Sequence, residues 1–182
     1  RGGHVYIPAG IYRTAHLRVP SNTTVYLAAG AVIRATDAMV VKSSPFINLE
    51  GAENVRIYGP GTIDGNGRPF HLVQTERSRH ITLEDALLRG CTSWAVHLLL
   101  VETATVRNLR ILSGKDGIDP DGAKDVTIEN CLILAKDDAV AVKTRKPPAT
   151  TERVRVRNCI VASDASALKI GTETRALIRD VA

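Results

Sequence analysis

Rings are scarce in this chain: aromatic residues make up only 4% of its 182 positions, with one Trp and two Phe, and there is a single Met. A core so poor in aromatics has to be thin and filled by branched aliphatics, and Val, Ile, Leu, Thr and Ala are plentiful. Three cysteines, Cys91, Cys131 and Cys159, are too few and odd in number for a disulfide framework, and no Cys-x-x-Cys or other zinc-binding spacing occurs. No window approaches the ~20 apolar residues of a membrane helix. The longest aliphatic run, Leu98 to Val101, is strand-sized. Net charge is +5, which admits an anionic partner, although ordinary solubilising charge explains it more simply. Basic residues are scattered without a run of five, which argues against nucleic acid and against a membrane surface. A convincing 3.6-residue apolar period is also missing, apart from ambiguous leucines near 83 to 88.

What is present is a mixed-charge composition, 44% hydrophobic and 24% charged, enough for one globular domain with a full core. Residues 4 to 8, 11 to 17, 22 to 27 and 31 to 33 read as short strands punctuated by Gly, Asn or Pro. A repeat then emerges. Ile57, Leu83, Val106, Ile128 and Val156 occupy equivalent places in segments of two apolar residues separated by one polar residue, the pleat of a half-buried strand. The steps between them are 26, 23, 22 and 28 residues. Asp85, Asn108, Asn130 and Asn158 fall just after each strand, where a corner needs a residue that tolerates the left-handed region. A second strand follows in each repeat, with Val96 and Leu98, Ile118, Val140 and Val142, and Leu168 and Ile170 in matching places.

Short strands at this period without helices predict an all-β protein: a single-stranded right-handed parallel β-helix with coils of roughly 22–28 residues, one domain over residues 1–182. The segment from Lys146 through Thr151 reads as a loop insertion that lengthens the last step. Cys131 and Cys159 are expected as neighbours in an interior ladder of free thiols, with a disulfide as the alternative. No amphipathic cap helix precedes residue 4, the opening Arg-Gly-Gly carries no signal-peptide pattern, and residues 178–182 read as the first strand of a further coil. The expectation is a piece of a longer solenoid, lacking its N-terminal cap and C-terminal coils. Open ends of that kind favour end-to-end self-association.

The chemistry concentrates between residues 113 and 144. Asp137 and Asp138 follow Asp116 by 21 and 22 residues, the length of one coil, so a solenoid stacks all three acids at neighbouring levels of one face. Three carboxylates so close are costly to keep ionised together, and at least one pKa is expected to rise, as a general acid and a general base require. Asp119 is expected to line the same cleft, and Asp121, before Gly122, to form a turn. Lys169 aligns with His97, Asp119 and Ala141 on the outward side of the second strand. There its ammonium could meet a sugar carboxylate or instead pair with Asp119; Lys143 has the same two readings. His97 either borders the groove or is a surface histidine without a role. Trp94 is a candidate for stacking on a sugar or for packing, Asp64 for a structural corner and Glu173 for extending the groove.

Four segments carry a family resemblance: Tyr58-Gly-Pro-Gly-Thr-Ile-Asp-Gly-Asn-Gly67, Ser93-Trp-Ala-Val-His97, Lys115-Asp-Gly-Ile-Asp119 and Lys136-Asp-Asp138. Together they resemble polygalacturonases, family 28 of the glycoside hydrolases, within the pectin-lyase-like β-helix group. The resemblance implies hydrolysis of α-glycosidic bonds in an acidic polysaccharide with inversion, without metal or other cofactor, by a secreted or periplasmic protein. Carried over by position, Asp137 is the general acid, while Asp116 and Asp138 hold and activate water. An inverting pair needs carboxyls about 6.5–9.5 Å apart, which residues one coil apart can reach. This chain departs from the pattern at Gly114-Lys115, where the family has Asn-Thr, and at Ser166, where the family has histidine. Lys169 is the cation at hand near that missing histidine, and the family's Arg-Ile-Lys motif would fall beyond residue 182. Two other classes stay open on the sequence: a carbohydrate-binding β-helix without chemistry, and a β-helix polysaccharide lyase or epimerase.

Overall fold

The computed structural model describes residues 2–37, 45–68, 70–145 and 149–182. Among them lie 22 β-strands and no helix. The strands form three sheets of eight, seven and seven strands, in which every third strand of the chain is a neighbour and all pairings are parallel. Each coil therefore gives one strand to each sheet, and the chain is the parallel β-solenoid that its repeat predicts. The segments Lys146 to Pro148 within the expected loop insertion lie outside the described residues.

The register follows the sequence repeat. Ile57, Leu83, Val106, Ile128 and Val156 are direct partners along the first sheet. Val96, Ile118, Val140 and Leu168 are partners along the third. Inward-pointing residues of all three sheets fuse into one aliphatic column, with Ile81, Val106, Ile111, Ile118, Ile128 and Ile133 essentially inaccessible. Alternate residues face outward, which is why period-2 patterning survives in the sequence.

The corner after each first-sheet strand behaves as its residue type demands. Asp85, Asn108, Asn130 and Asn158 all adopt positive φ, between 51° and 67°. Their amides then stack: Asn108 Nδ2 donates to Asp85 Oδ1 at 3.0 Å, and Asn158 Nδ2 to Asn130 Oδ1 at 2.6 Å. A second left-handed position occurs near the start of the same strands, at Asn54, His80, Thr103, Asp125 and Arg153. It coincides with an interruption of the ladder, since these residues have no partner in the register.

Two expectations need revision. Each coil has three strands and not two: Thr62–Arg68, Leu87–Cys91, Arg110–Ser113, Leu132–Ala135 and Ile160–Ser163 form the intermediate sheet, and the ambiguous leucines near 83 to 88 belong to extended chain. The interior thiol ladder is only half realised, because Cys131 is buried while Cys159 is half-buried. Both are free, as is the buried Cys91, and burial pushes the Cys131 thiol up to about 12.

Candidate active site

The site forms where the turn after the second sheet leads into the third. Backbone hydrogen bonds stack this turn on itself from coil to coil. Ala95 N–H donates to Asp116 O at 3.0 Å, Gly117 N–H to Asp138 O at 2.9 Å, and Ala139 N–H to Ser166 O at 2.8 Å. Trp94, Asp116, Asp138 and Ser166 are therefore successive steps of one ladder. Gly117 is required here: a Cβ on it would lie 2.4 Å from Ala139 O, closer than any side chain tolerates. Ser113, on the strand leading in, donates its hydroxyl to Asp116 O at 2.7 Å and fixes the turn from inside.

This stacking brings Asp116, Asp137 and Asp138 together, with one carboxylate oxygen of each within 4.8 Å of the others. Asp116 and Asp138 are buried to 3% exposure, and Asp137 is half-buried. Neighbouring coils are only ~4.8 Å apart, which is what lets acids at successive steps of the ladder meet. The three acids line a cleft of about 170 Å³ whose other walls include Trp94, Lys115, Lys143, Lys169 and Glu173. A larger groove of about 590 Å³ crosses the outer face of the second sheet, between Leu112, Leu134 and Ala162. Its lining is mostly apolar and holds no carboxylate cluster, so the smaller cleft is where bond-breaking chemistry can occur.

Two lysines answer the acidic charge, each reaching back one coil. Lys143 Nζ donates to Asp116 Oδ2 at 2.7 Å, and Lys169 Nζ lies 2.9 Å from Asp138 Oδ2. Among the described residues Asp137 has no ion-pair partner. The three oxygens are close enough to surround a small cation, but the ammonium groups already sit on two of the three carboxylates, so the arrangement does not ask for one.

The other anticipated contacts move below the surface. Asp119 is fully buried and His97 is 1% exposed, and neither lines the cleft, whereas Lys143 lines it at 3% exposure. They lie on the outward side of their strands, as expected. That side is roofed by Trp94 and His71, whose rings stack at 4.7 Å, and Trp94 meets His97 edge-on at 4.9 Å. Lys169 does not pair with Asp119, because Lys143 takes that place, with Nζ 2.7 Å from Asp119 Oδ1. Asp121 is not a turn residue but part of strand Ile118–Asp121, buried, accepting from Arg145 N–H at 2.8 Å and lying 3.1 Å from His97 Nε2. Ser166 offers its backbone carbonyl to the ladder. Asp64 is a structural corner: it accepts from Asn66 N–H at 2.8 Å and pairs with Arg89.

Protonation follows from burial. Desolvation raises the Asp119 pKa well above the ordinary carboxylate range, and the nearby Asp116 charge adds to this; Lys143 only partly opposes them. Desolvation works against a charged Lys143 too, but its carboxylate partners outweigh it and hold the amine charged. Asp119 is thus the acid of the site whose ionised form burial most disfavours, while Asp116 accepts from Lys143 Nζ at 2.7 Å. Burial also lowers His71, to about 3, so its ring is neutral at working pH. The expected pKa rise thus falls on the acid beside the cluster. The Lys143–Asp119 pairing was one of the two readings of Lys143, whereas His71, Arg145 and the pairings of Lys143 with Asp116 and of Lys169 with Asp138 were not anticipated. Their signal was charges of opposite sign about one coil apart, as in Asp121 and Arg145.

The chain is thus a parallel β-helix whose stacked turns gather three aspartates in a cleft. The likeness to polygalacturonases extends over nearly the whole chain. It is 27% identical to a probable polygalacturonase of Vitis vinifera, across 99% of this chain and 46% of the relative. It is 25% identical to an endo-polygalacturonase of Pectobacterium carotovorum, across 96% of this chain and 55% of the relative. The polygalacturonase structure from Erwinia carotovora superposes with a TM-score of 0.82 at 23% identity, covering 98% of this chain and 61% of that one. The chain thus spans about half the length of the curated relatives it matches. No protein-family model matches it.

Proposed function

We propose that the protein is a glycoside hydrolase acting on α-linked uronate polymers of the pectic type, with Asp137, Asp116 and Asp138 as its catalytic carboxyls. The observation that carries this reading is the convergence of the three acids, 21 and 22 residues apart in sequence, within 4.8 Å at the floor of one cleft. Asp137 is the general acid. It is the most accessible of the three and, among the described residues, the one without an ion-pair partner, which places it to reach the leaving oxygen. Asp116 and Asp138 each have one oxygen engaged by a lysine; the other Asp116 oxygen is left to orient a water, while Asp138 Oδ1 is buried without a partner. The substrate contacts fall to the cations that reach the cleft. The Lys169 side chain is 35% exposed and Lys115 is exposed at the rim, beside Asp116.

The product follows from the same contacts. With Asp116 and Asp138 tied from behind by ammonium groups, water is the nucleophile and the anomeric centre inverts. A carboxylate attacking directly would give retention instead. The polymer's own negative charge suits a chain with net charge +5, and secretion suits such a substrate. Asp137→Asn in the parent-length protein is expected to lower reducing-end release by about a thousandfold or more while the circular dichroism spectrum holds. Activity within about tenfold of wild type would remove Asp137 from the acid role.

A further inference from the structure

The Lys143 amine is walled in by charge and by a ring. It touches Asp116 Oδ2 and Asp119 Oδ1, both at 2.7 Å, lies 3.6 Å from Glu173 Oε2 and sits 3.6 Å from the centroid of the Trp94 ring. It lines the cleft at only 3% exposure, with its three N–H groups faced by three carboxylates. An ammonium stays charged in such a place only while fixed partners answer it, and it in turn fixes them.

Resting on the hydrolase reading above, we infer that Lys143 is a positioning residue for Asp116, locked in place by Trp94 and Asp119, and that neither Lys143 nor Asp119 meets the substrate. The geometry divides the labour. One Asp116 oxygen is held by the amine, which fixes the direction of the other toward a water in the cleft. Asp119, with no exposure and no hydrogen bond to either oxygen, supplies packing and proximity beneath the amine. Two buried carboxylates face one ammonium there, and burial weighs against a charge on Asp119. Lys169 repeats the device one coil later on Asp138, but from a half-exposed position that can also face substrate. The two lysines thus serve different ends despite similar contacts.

Trp94 is the only tryptophan in the chain, so its emission reports the amine directly. The test uses the parent-length protein with polygalacturonate as the probe. Lys143→Met is expected to lower kcat about a hundredfold, the cost of a misaimed catalytic group, with KM within about twofold. Trp94 emission should shift in the same variant. Asp119→Asn keeps the shape of the support and should lose less than about tenfold in kcat, with Trp94 emission unchanged. A raised KM at constant kcat in Lys143→Met would make Lys143 a substrate ligand and overturn the inference. So would an unchanged emission, or an Asp119→Asn loss equal to that of Lys143→Met. Should Lys143→Met fail to fold, Lys143→Arg keeps the charge but not the point geometry. It is expected to fold and lose kcat, and full kcat would count against positioning. If the wild-type protein itself releases no reducing ends, the hydrolase reading fails and the positioning role falls with it. Normal turnover in Lys143→Met refutes the positioning role alone.

Discussion

Ile118 is the residue through which the core supports the cleft, and its removal gives a calculable loss. It begins strand Ile118–Asp121, two positions after Asp116, and is fully buried between Val96 and Val140 in the third sheet. Ile118→Ala removes three carbons, worth about 2.4 kcal/mol at about 0.8 kcal/mol each. The void adds up to about 2 kcal/mol, at about 24 cal/mol per Å³ of unfilled volume. Collapse is limited because the coils above and below are pinned by backbone bonds: Val96 N–H to Gly117 O at 2.9 Å and Ile118 N–H to Ala139 O at 3.0 Å. A net loss of about 3–4 kcal/mol follows. Urea unfolding followed by Trp94 emission measures it, because Trp94 sits one coil from Asp116 in the same turn ladder. The midpoint should fall with the denaturant slope unchanged. A loss below about 1 kcal/mol at constant slope would show that the inward side of this strand is not packed, and would refute the stacking argument.

Two further perturbations probe the corners and the roof. Asn130 combines φ of 55° with an amide ladder to Asn158, so Asn130→Val should cost about 2 kcal/mol or more and Asn130→Gly distinctly less; equal losses in urea melts would remove backbone strain from the explanation. His71 has a folded pKa of about 3 against 6.5 for the free side chain, mainly because it is buried. Between those values the unfolded chain takes up a proton that the folded one refuses, so this contribution is intact above pH 6.5 and is lost as pH falls toward 3. His71→Gln should therefore flatten the decline in urea midpoint between neutral and acid pH, and an undiminished decline would contradict a buried neutral ring.

How much of this was legible depends on how local the determinant is. The coil length, the partnered aliphatic ladder from Ile57 to Val156 and the left-handed corners at Asp85, Asn108, Asn130 and Asn158 were all readable, because each rests on a residue's own backbone and pleat preference. The convergence of Asp116, Asp137 and Asp138 followed from the coil length alone. The second sheet was hidden because its strands are four to seven residues long and some carry glycines, as in Thr62–Arg68, which blur alternation. The left-handed positions at His80, Thr103 and Arg153 were unreadable, since those side chains do not advertise positive φ. Burial of His97, Asp119 and Lys143 was missed for a different reason. Outward-pointing residues were equated with exposed ones, whereas His71 and Trp94 cover that side of the sheet.

In the proposed reaction the stacked aspartates deliver water to the glycosidic bond from the side opposite the leaving group. Proton NMR of the first products from an α-linked uronate polymer, recorded before mutarotation, tests it most directly in the parent-length protein. The β-anomer appearing first, and disappearing in Asp137→Asn, is the predicted result. An α-anomer would make one carboxylate a nucleophile, and an unsaturated product would replace hydrolysis with elimination; either contradicts the claim.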